Sequence, residues 1–290
     1  MKIHASTIQL LRFHFSFFLM PVYWFALSQI QEINSRNAWL IFFILHGLVY
    51  PSSNGYNSYM DRDEGSIGGL KSPQPPTRQL YQVTLLMDFL ALTLGMLISI
   101  PFALGILIYI LASRAYSARQ IRLKRYPVWG YLTVIVCQGG LVFYMVYHGA
   151  DTGQTLHVPA LGIIGASLLI GGFYPLTQIY QHEADAKDGV ITLSASLGYR
   201  GTFVFCSIVY TAAFAVLAVL FQASLQLKEF LAFATAMLPV IVYFLVWGVK
   251  VWRNPAAANF TNAMRMNLLA SVCSSIGFIV VFFMQRHLQS

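Results

Sequence analysis

Thr202-Phe-Val-Phe-Cys-Ser-Ile-Val-Tyr-Thr-Ala-Ala-Phe-Ala-Val-Leu-Ala-Val-Leu-Phe-Gln222 runs for 21 residues, about 31 Å if helical, without a charge. About 20 such residues carry a helix across the hydrocarbon core of a bilayer, so this stretch reads as a membrane span. Similar windows recur along the whole chain. Apolar runs and their breakers predict nine helices at about 10–30, 37–56, 82–100, 102–115, 128–148, 157–178, 202–222, 229–249 and 264–285. Pro101 divides helices three and four, because proline interrupts the hydrogen-bond ladder. Of the 290 residues, 57% are hydrophobic and 10% charged, against roughly 25% charged in soluble domains. The expected fold is all-α, a multi-pass integral membrane protein forming a single membrane domain over 1–290.

The first apolar run is long for a signal peptide and lacks a small-residue cleavage site before the next helix, so it reads as a retained span. Cys137, Cys206 and Cys273 each fall inside a predicted span without metal-type spacing and read as small buried apolar residues. The net charge of +8 points to no nucleic acid, since in a membrane protein its distribution decides its meaning. With the N-terminus in the cytoplasm, 15 of the 18 Lys and Arg residues, Lys2 included, lie on that side. Only Arg36, Lys228 and Arg286 lie opposite, which selects an N-in, C-out arrangement. A bacterial-type inner membrane, with the polar segments facing the cytoplasm, is the expected location.

The acids are not scattered. Six of ten fall in two stretches, Asp61, Asp63, Glu64 and Glu183, Asp185, Asp188, each directly after a span on the cytoplasmic side. Four predicted helices separate them, so the chain reads as two four-helix units plus a ninth helix, with acidic segments at about 54–79 and 178–200. Diphosphate handling needs this arrangement. Mg²⁺ is a hard cation that bridges one or two carboxylates to substrate phosphates, and two facing acidic segments can hold such ions around one diphosphate. Ionisable groups at a membrane interface are functional candidates by default.

Within Asn54-Gly-Tyr-Asn57-Ser-Tyr-Met-Asp61-Arg-Asp63-Glu64-Gly65, Asn57 and Asp61 stand one helical turn apart and share a face, where they can share a metal. Gly68, Gly69, Pro73, Pro75 and Pro76 then end the helix in a loop able to fold over a site as a lid. Gln181 and Asp185 repeat the four-residue spacing, with Lys187 available to a phosphate as a point charge and His182 read as structural. A third polar segment, from Arg114 to Arg125, carries five cations that either touch anionic lipid or stabilise a leaving diphosphate.

Together these segments resemble the UbiA superfamily of intramembrane prenyltransferases, over essentially the whole chain. Asn57 and Asp61 match its first motif, Tyr116 and Lys124 its middle one, and Asp185, Gly189, Thr192 and Leu193 its second. The resemblance implies Mg²⁺-assisted ionisation of an isoprenyl diphosphate and capture of the carbocation by a hydrophobic or aromatic acceptor within the lipid bilayer. It implies catalytic roles for Asp61, Asp185, Lys124 and Tyr116. Diphosphate contacts are expected from Asn54, Asn57, Lys71, Arg78, Lys124 and Lys187, and metal contacts from Asn57, Asp61, Glu64, Gln181 and Asp185. Two positions depart from the pattern: Gly65 and Gln181 stand where the family has acids, and the expected compensation is either small backbone shifts bringing in Glu64 or Glu183, or a metal or water held by the Gln181 side-chain carbonyl.

Arg12, His46, Asp88 and Gln138 are further polar candidates in or beside spans, Asp88 as an acceptor contact or as a bond between helices. Rival readings fit less well. A transporter would hold its polar site near the midplane, and an alcohol phosphatidyltransferase concentrates four acids in one motif, whereas Asp61 and Asp185 lie 124 residues apart. A catalytically inactive relative acting as a partner-binding protein remains the alternative, and metal-dependent diphosphate binding is the property that separates it from the enzyme.

Overall fold

Lipid offers no hydrogen bonds to a backbone, so apolar spans bond internally as helices. The computed structural model describes residues 3–287, and Lys2 lies outside them. The described residues are helical and carry no named strands. Among the described residues, eight helices are long and apolar enough to cross a membrane: Ala5–Ser28, Arg78–Met96, Ile100–Ser117, Pro127–Ala150, Ala160–Gln178, Leu193–Ala223, Leu227–Arg253 and Phe260–Arg286. The remaining expected span is a helical rod from α3 (Ser35–Phe42) through a π-segment (Phe43–Val49) into α4 (Tyr50–Asp61). Its second half carries Ser52, Ser53, Asn54, Asn57 and Ser58, which keeps it below the apolarity of the others.

The first span is not one regular helix. α1 (Ala5–Leu11) stops where Arg12 adopts a left-handed conformation, a 3₁₀ run follows (Phe13–Leu19), and α2 (Met20–Ser28) completes the crossing. Two carbonyls of the 3₁₀ run also bond to distant helices, one of them, Phe17, in addition to its local bond from the Met20 amide. His46 in the π-segment bonds the Ser16 carbonyl at 3.1 Å, and Ser271 donates to the Phe17 carbonyl at 3.0 Å.

α5 (Arg78–Met96) and α6 (Ile100–Ser117) are separated at the expected place. Ser99 caps α6 by accepting from the Phe102 amide, and Pro101 sits in the first turn, where its missing N–H costs nothing. α7 (Pro127–Val134) passes through a second π-segment (Ile135–Leu141) into α8 (Val142–Ala150). α9 (Ala160–Gln178) lies directly on that segment: a Cβ on Gly139 would stand 2.6 Å from the Ser167 Cα, so only glycine permits this approach. After the short α10 (His182–Lys187), three long helices follow: α11 (Leu193–Ala223), α12 (Leu227–Arg253) and α13 (Phe260–His287). α9 packs on α11, α12 on α13, and α13 returns to α2, with Phe25, Phe143, Phe233 and Phe278 stacked between them.

Two expected polar groups are structural ties. Arg114 pairs with Asp88 across α5 and α6 and donates to Ser52 on α4 at 3.0 Å, while its guanidinium lies 3.9 Å over the Tyr56 ring. Asp88 is thus a bond between helices. His46 is buried among the Tyr23, Phe42 and Tyr50 rings.

Candidate active site

α4 stays helical to Asp61, so the four-residue spacing becomes a contact: the Asn57 amide donates to Asp61 Oδ2 at 2.8 Å and to Ser117 on α6 at 3.0 Å. Arg62 then turns left-handed, with φ 56°, and ends the helix. From the other side comes the connection after α6, whose 3₁₀ turn (Leu123–Arg125) presents Lys124 to the same carboxylate oxygen at 2.5 Å. Asp61 is 8% exposed and Lys124 9%. Arg119 donates to the Met60 carbonyl at 2.8 Å and so closes the end of α4.

Arg122 joins the two acidic segments. It stands 3.6 Å from Asp61 Oδ1 and pairs with the Asp188 carboxylate. Asp185, on α10, is half-buried, and burial pushes its carboxyl up to about 6, followed in effect by opposing Lys124 and by Asp63 and Asp61. Burial and the neighbouring Asp61 also raise Asp63. Gly189 (φ 70°) reverses the chain after α10, and Thr192 caps α11 by accepting from the Ala195 amide at 3.2 Å, which is why these residue types stand there.

These groups line one cavity of about 180 Å³. Its walls include Asn54, Asn57, Asp61 and Asp63 from the first segment, Tyr116 and Lys124 from the middle one, and Gln181, Asp185 and Thr192 from the second. Tyr116 shares a hydrogen bond with the Tyr174 hydroxyl, and the Gln178 amide donates to Tyr174 at 2.9 Å. The loop after α4 contributes Ile67 and Gly68 to the cavity wall. It is fastened at Gly68 by Arg12 (3.2 Å), at Gly69 by His14 (3.1 Å), at Gln74 by Gln9 (2.9 Å) and at Ser66 by Gln181 (3.3 Å).

A family model described as the UbiA prenyltransferase family matches residues 18–269. The chain belongs to this family. It is 31% identical over 160 residues to the bacteriochlorophyll synthase 33 kDa chain of Cereibacter sphaeroides, covering 52% of this chain and 51% of that one. The match therefore spans about half the length of that relative. A UbiA homologue from Archaeoglobus fulgidus, solved bound to DMAPP and Mg²⁺, superposes with a TM-score of 0.72 at 19% identity, over 96% of this chain and 99% of that one. The apo structure of a UbiA homologue from Aeropyrum pernix K1 gives 0.65 at 18%, over 92% and 97%. At such identities the likeness speaks for the UbiA fold.

Within this UbiA fold, the cavity gathers Asn54, Asn57, Asp61, Tyr116, Lys124, Gln181 and Asp185. It does not gather Glu64, Lys71, Arg78 or Lys187, all of which are exposed and absent from its lining. Arg62 turns the chain so that Asp63 faces in and Glu64 out, and Lys187 lies on the outer face of α10. Glu183 is likewise exposed. His182 bonds Ser194 at 2.8 Å and stacks on Tyr199 at 4.9 Å, in keeping with a structural role. Arg12 and Gln138 line the cavity, and Arg12 is 5% exposed, fastening the loop rather than reaching headgroups.

Sequence reasoning named Asp63 and Arg122 within their clusters without singling them out, and missed Tyr174 and Gln178. Part of the signal was present. Gln178, Gln181 and Asp185 repeat the spacing of Asn54, Asn57 and Asp61, two carboxamides seven and four residues before an aspartate.

Proposed function

We propose that this UbiA-family chain is a Mg²⁺-dependent prenyltransferase that moves an isoprenyl group from an isoprenyl diphosphate to a lipophilic or aromatic acceptor within the membrane. The observation that carries this reading is a single cavity lined by both acidic segments and by Lys124. The A. fulgidus homologue bound to DMAPP and Mg²⁺ supports the choice of ligands.

The donor set suits Mg²⁺. Asp61, Asp185 and the side-chain carbonyl of Asn57 offer hard oxygens, and Asp61 Oδ1 is buried without a hydrogen-bond partner. Among the described residues no three His, Cys, Asp or Glu side chains form a ready-made metal cluster. Mg²⁺ does not require one, because it takes part of its shell from substrate phosphates and water. Bound there, the ion would neutralise charge developing on the leaving diphosphate.

The chain's own residues do the rest. Lys124 and Tyr116 supply a cation and a hydroxyl to the diphosphate, and Arg122 holds the two acidic segments at a fixed separation. The fastened loop excludes water from a carbocation, and the Tyr109, Tyr116 and Tyr174 rings offer faces that stabilise a cation by up to about 2 kcal/mol each when desolvated. Arg119, Arg122, Lys124 and Arg125 at this end support a cytoplasm-facing site in a bacterial-type inner membrane.

The test is diphosphate release by the purified chain from a panel of allylic diphosphates, with membrane lipid extract and porphyrin-type rings as acceptors, with and without Mg²⁺. Release that needs Mg²⁺, Asp61 and Asp185 bears the reading out, and mass spectrometry of the product names the acceptor. Absence of both release and diphosphate binding turns the reading to an inactive relative.

A further inference from the structure

The two departures from the UbiA pattern, Gly65 and Gln181, meet at one contact. The Gln181 side-chain amide donates to the carbonyl of Ser66, the residue after Gly65, at 3.3 Å. An ionised aspartate at 181 has no hydrogen to give and would face that carbonyl with like partial charge.

Continued helix would place residue 65 one turn beyond Asp61, on the face that carries Asn57 and Asp61. Helix does not continue. Arg62 turns left-handed directly after Asp61, and the face is lost. Gly65 then stands exposed, with nothing within 4 Å of where its Cβ would be, and Glu64 is exposed beside it. Asp63 is the acid that this turn returns to the cavity, half-buried and close enough to Asp61, Lys124 and Asp185 to interact with each. A separate observation points to a ligand: Asp61 Oδ1, on a residue 8% exposed that lines the cavity, accepts no hydrogen bond and has Arg122 near it only at 3.6 Å. Three carboxylates around Lys124, one of them with this oxygen, leave room for cationic charge, not for more acid.

We propose that Asp63 supplies the carboxylate that position 65 lacks, and that Gln181 is a positioning residue, gripping the loop at Ser66 so that Asp63 faces the cavity. This rests on the metal and diphosphate reading above. The two departures are then one exchange: an acid is given up at 181 for a donor that fixes an acid at 63.

The experiment is calorimetric titration of the detergent-purified full chain with a non-ionisable thiolodiphosphate analogue of a short allylic diphosphate, across a Mg²⁺ series. Asp63→Asn weakens Mg²⁺-dependent binding roughly 10- to 100-fold, the range for losing a group that serves a bound metal. Glu64→Gln stays within about twofold, as an exposed substitution does. Gln181→Leu and Gln181→Asp both shift the Mg²⁺ midpoint upward, and neither adds to the loss in a double variant with Asp63→Asn, as expected when both act through one carboxylate. Thermal unfolding of each variant without Mg²⁺ separates lost binding from lost fold. Binding that is indifferent to Asp63→Asn, equally sensitive to Glu64→Gln, or tightened by Gln181→Asp overturns the assignment while leaving the prenyltransferase reading intact. Wild-type protein that binds no analogue with Mg²⁺ overturns both.

Discussion

The two acidic segments share a pattern and differ in state. Asn54, Asn57 and Asp61 lie on a continuous helix, and Asp61 is buried and held by Asn57, Lys124 and Arg122. Gln178, Gln181 and Asp185 have the same spacing, but Gln178 ends α9 and Gln181 precedes α10, so a turn interrupts the face. Asp185 has no side-chain hydrogen bond or salt bridge among the described residues, and its carboxyl sits near 6. One half of the site is neutralised by the protein's own cations. The other half holds a charge that burial disfavours, that Lys124 offsets only in part, and that a ligand cation would relieve further. Equal sequence spacing therefore does not give equal electrostatics, because the backbone between the residues decides which partners arrive.

The strongest way to break this comparison is to remove each aspartate and measure stability. Asp61→Ala leaves Lys124 and Arg122 buried without their shared partner and is expected to cost roughly 3–5 kcal/mol in reversible unfolding in detergent, whereas Asp185→Ala leaves stability unchanged or slightly raised. Equal losses in both variants would mean that the second segment is as firmly paired as the first. Turnover should fail to distinguish them: Asp185→Ala lowers diphosphate release by roughly 10²- to 10³-fold despite its intact fold, the usual scale for losing a group that stabilises developing charge.

A smaller and more selective difference lies in pH. The folded value of Asp185, about 6, exceeds its unfolded value of about 3.9, so its contribution to metal-free stability is fully present below the unfolded value and is lost as pH rises through 6. Metal binding runs the opposite way, because the proton competes with the cation. Mg²⁺-dependent diphosphate affinity should fall by up to about tenfold per unit as pH drops below 6, and Asp185→Asn should remove that slope in a titration series. The least effect comes from the bridge. Arg122→Gln is expected to cost about 1 kcal/mol or less through its Asp188 partner, whose side chain is 38% exposed, and thermal melting at two salt concentrations would register it.

Much of the molecule was legible because its signals are local or compositional. Every predicted helix is present, since a lipid solvent leaves an apolar run few alternatives, and the Asn57–Asp61 face survives because α4 continues to Asp61. The errors gather where a single non-glycine residue turns left-handed. At Arg62 that turn exchanges Glu64 for Asp63, and at Arg122 (φ 49°) it brings into the site a cation that pattern alone left among five. No side-chain periodicity announces such a residue, since tertiary contacts, not local propensity, hold it there. For Lys71 and Arg78 the resemblance offers no matched motif position, only positive charge, and charge at a membrane face serves orientation as readily as chemistry.

The 3₁₀ run at Phe13–Leu19 also sets a timetable. The Phe17 carbonyl receives a second hydrogen from Ser271, 254 residues later. At roughly 5–20 residues per second of synthesis, the first span emerges about 13–50 s before the helix that completes its hydrogen bonding. During that interval the Phe17 carbonyl has only its local bond from the Met20 amide. The tie between the first span and α13 belongs to the finished bundle, so the first span waits on a helix made much later for its second donor.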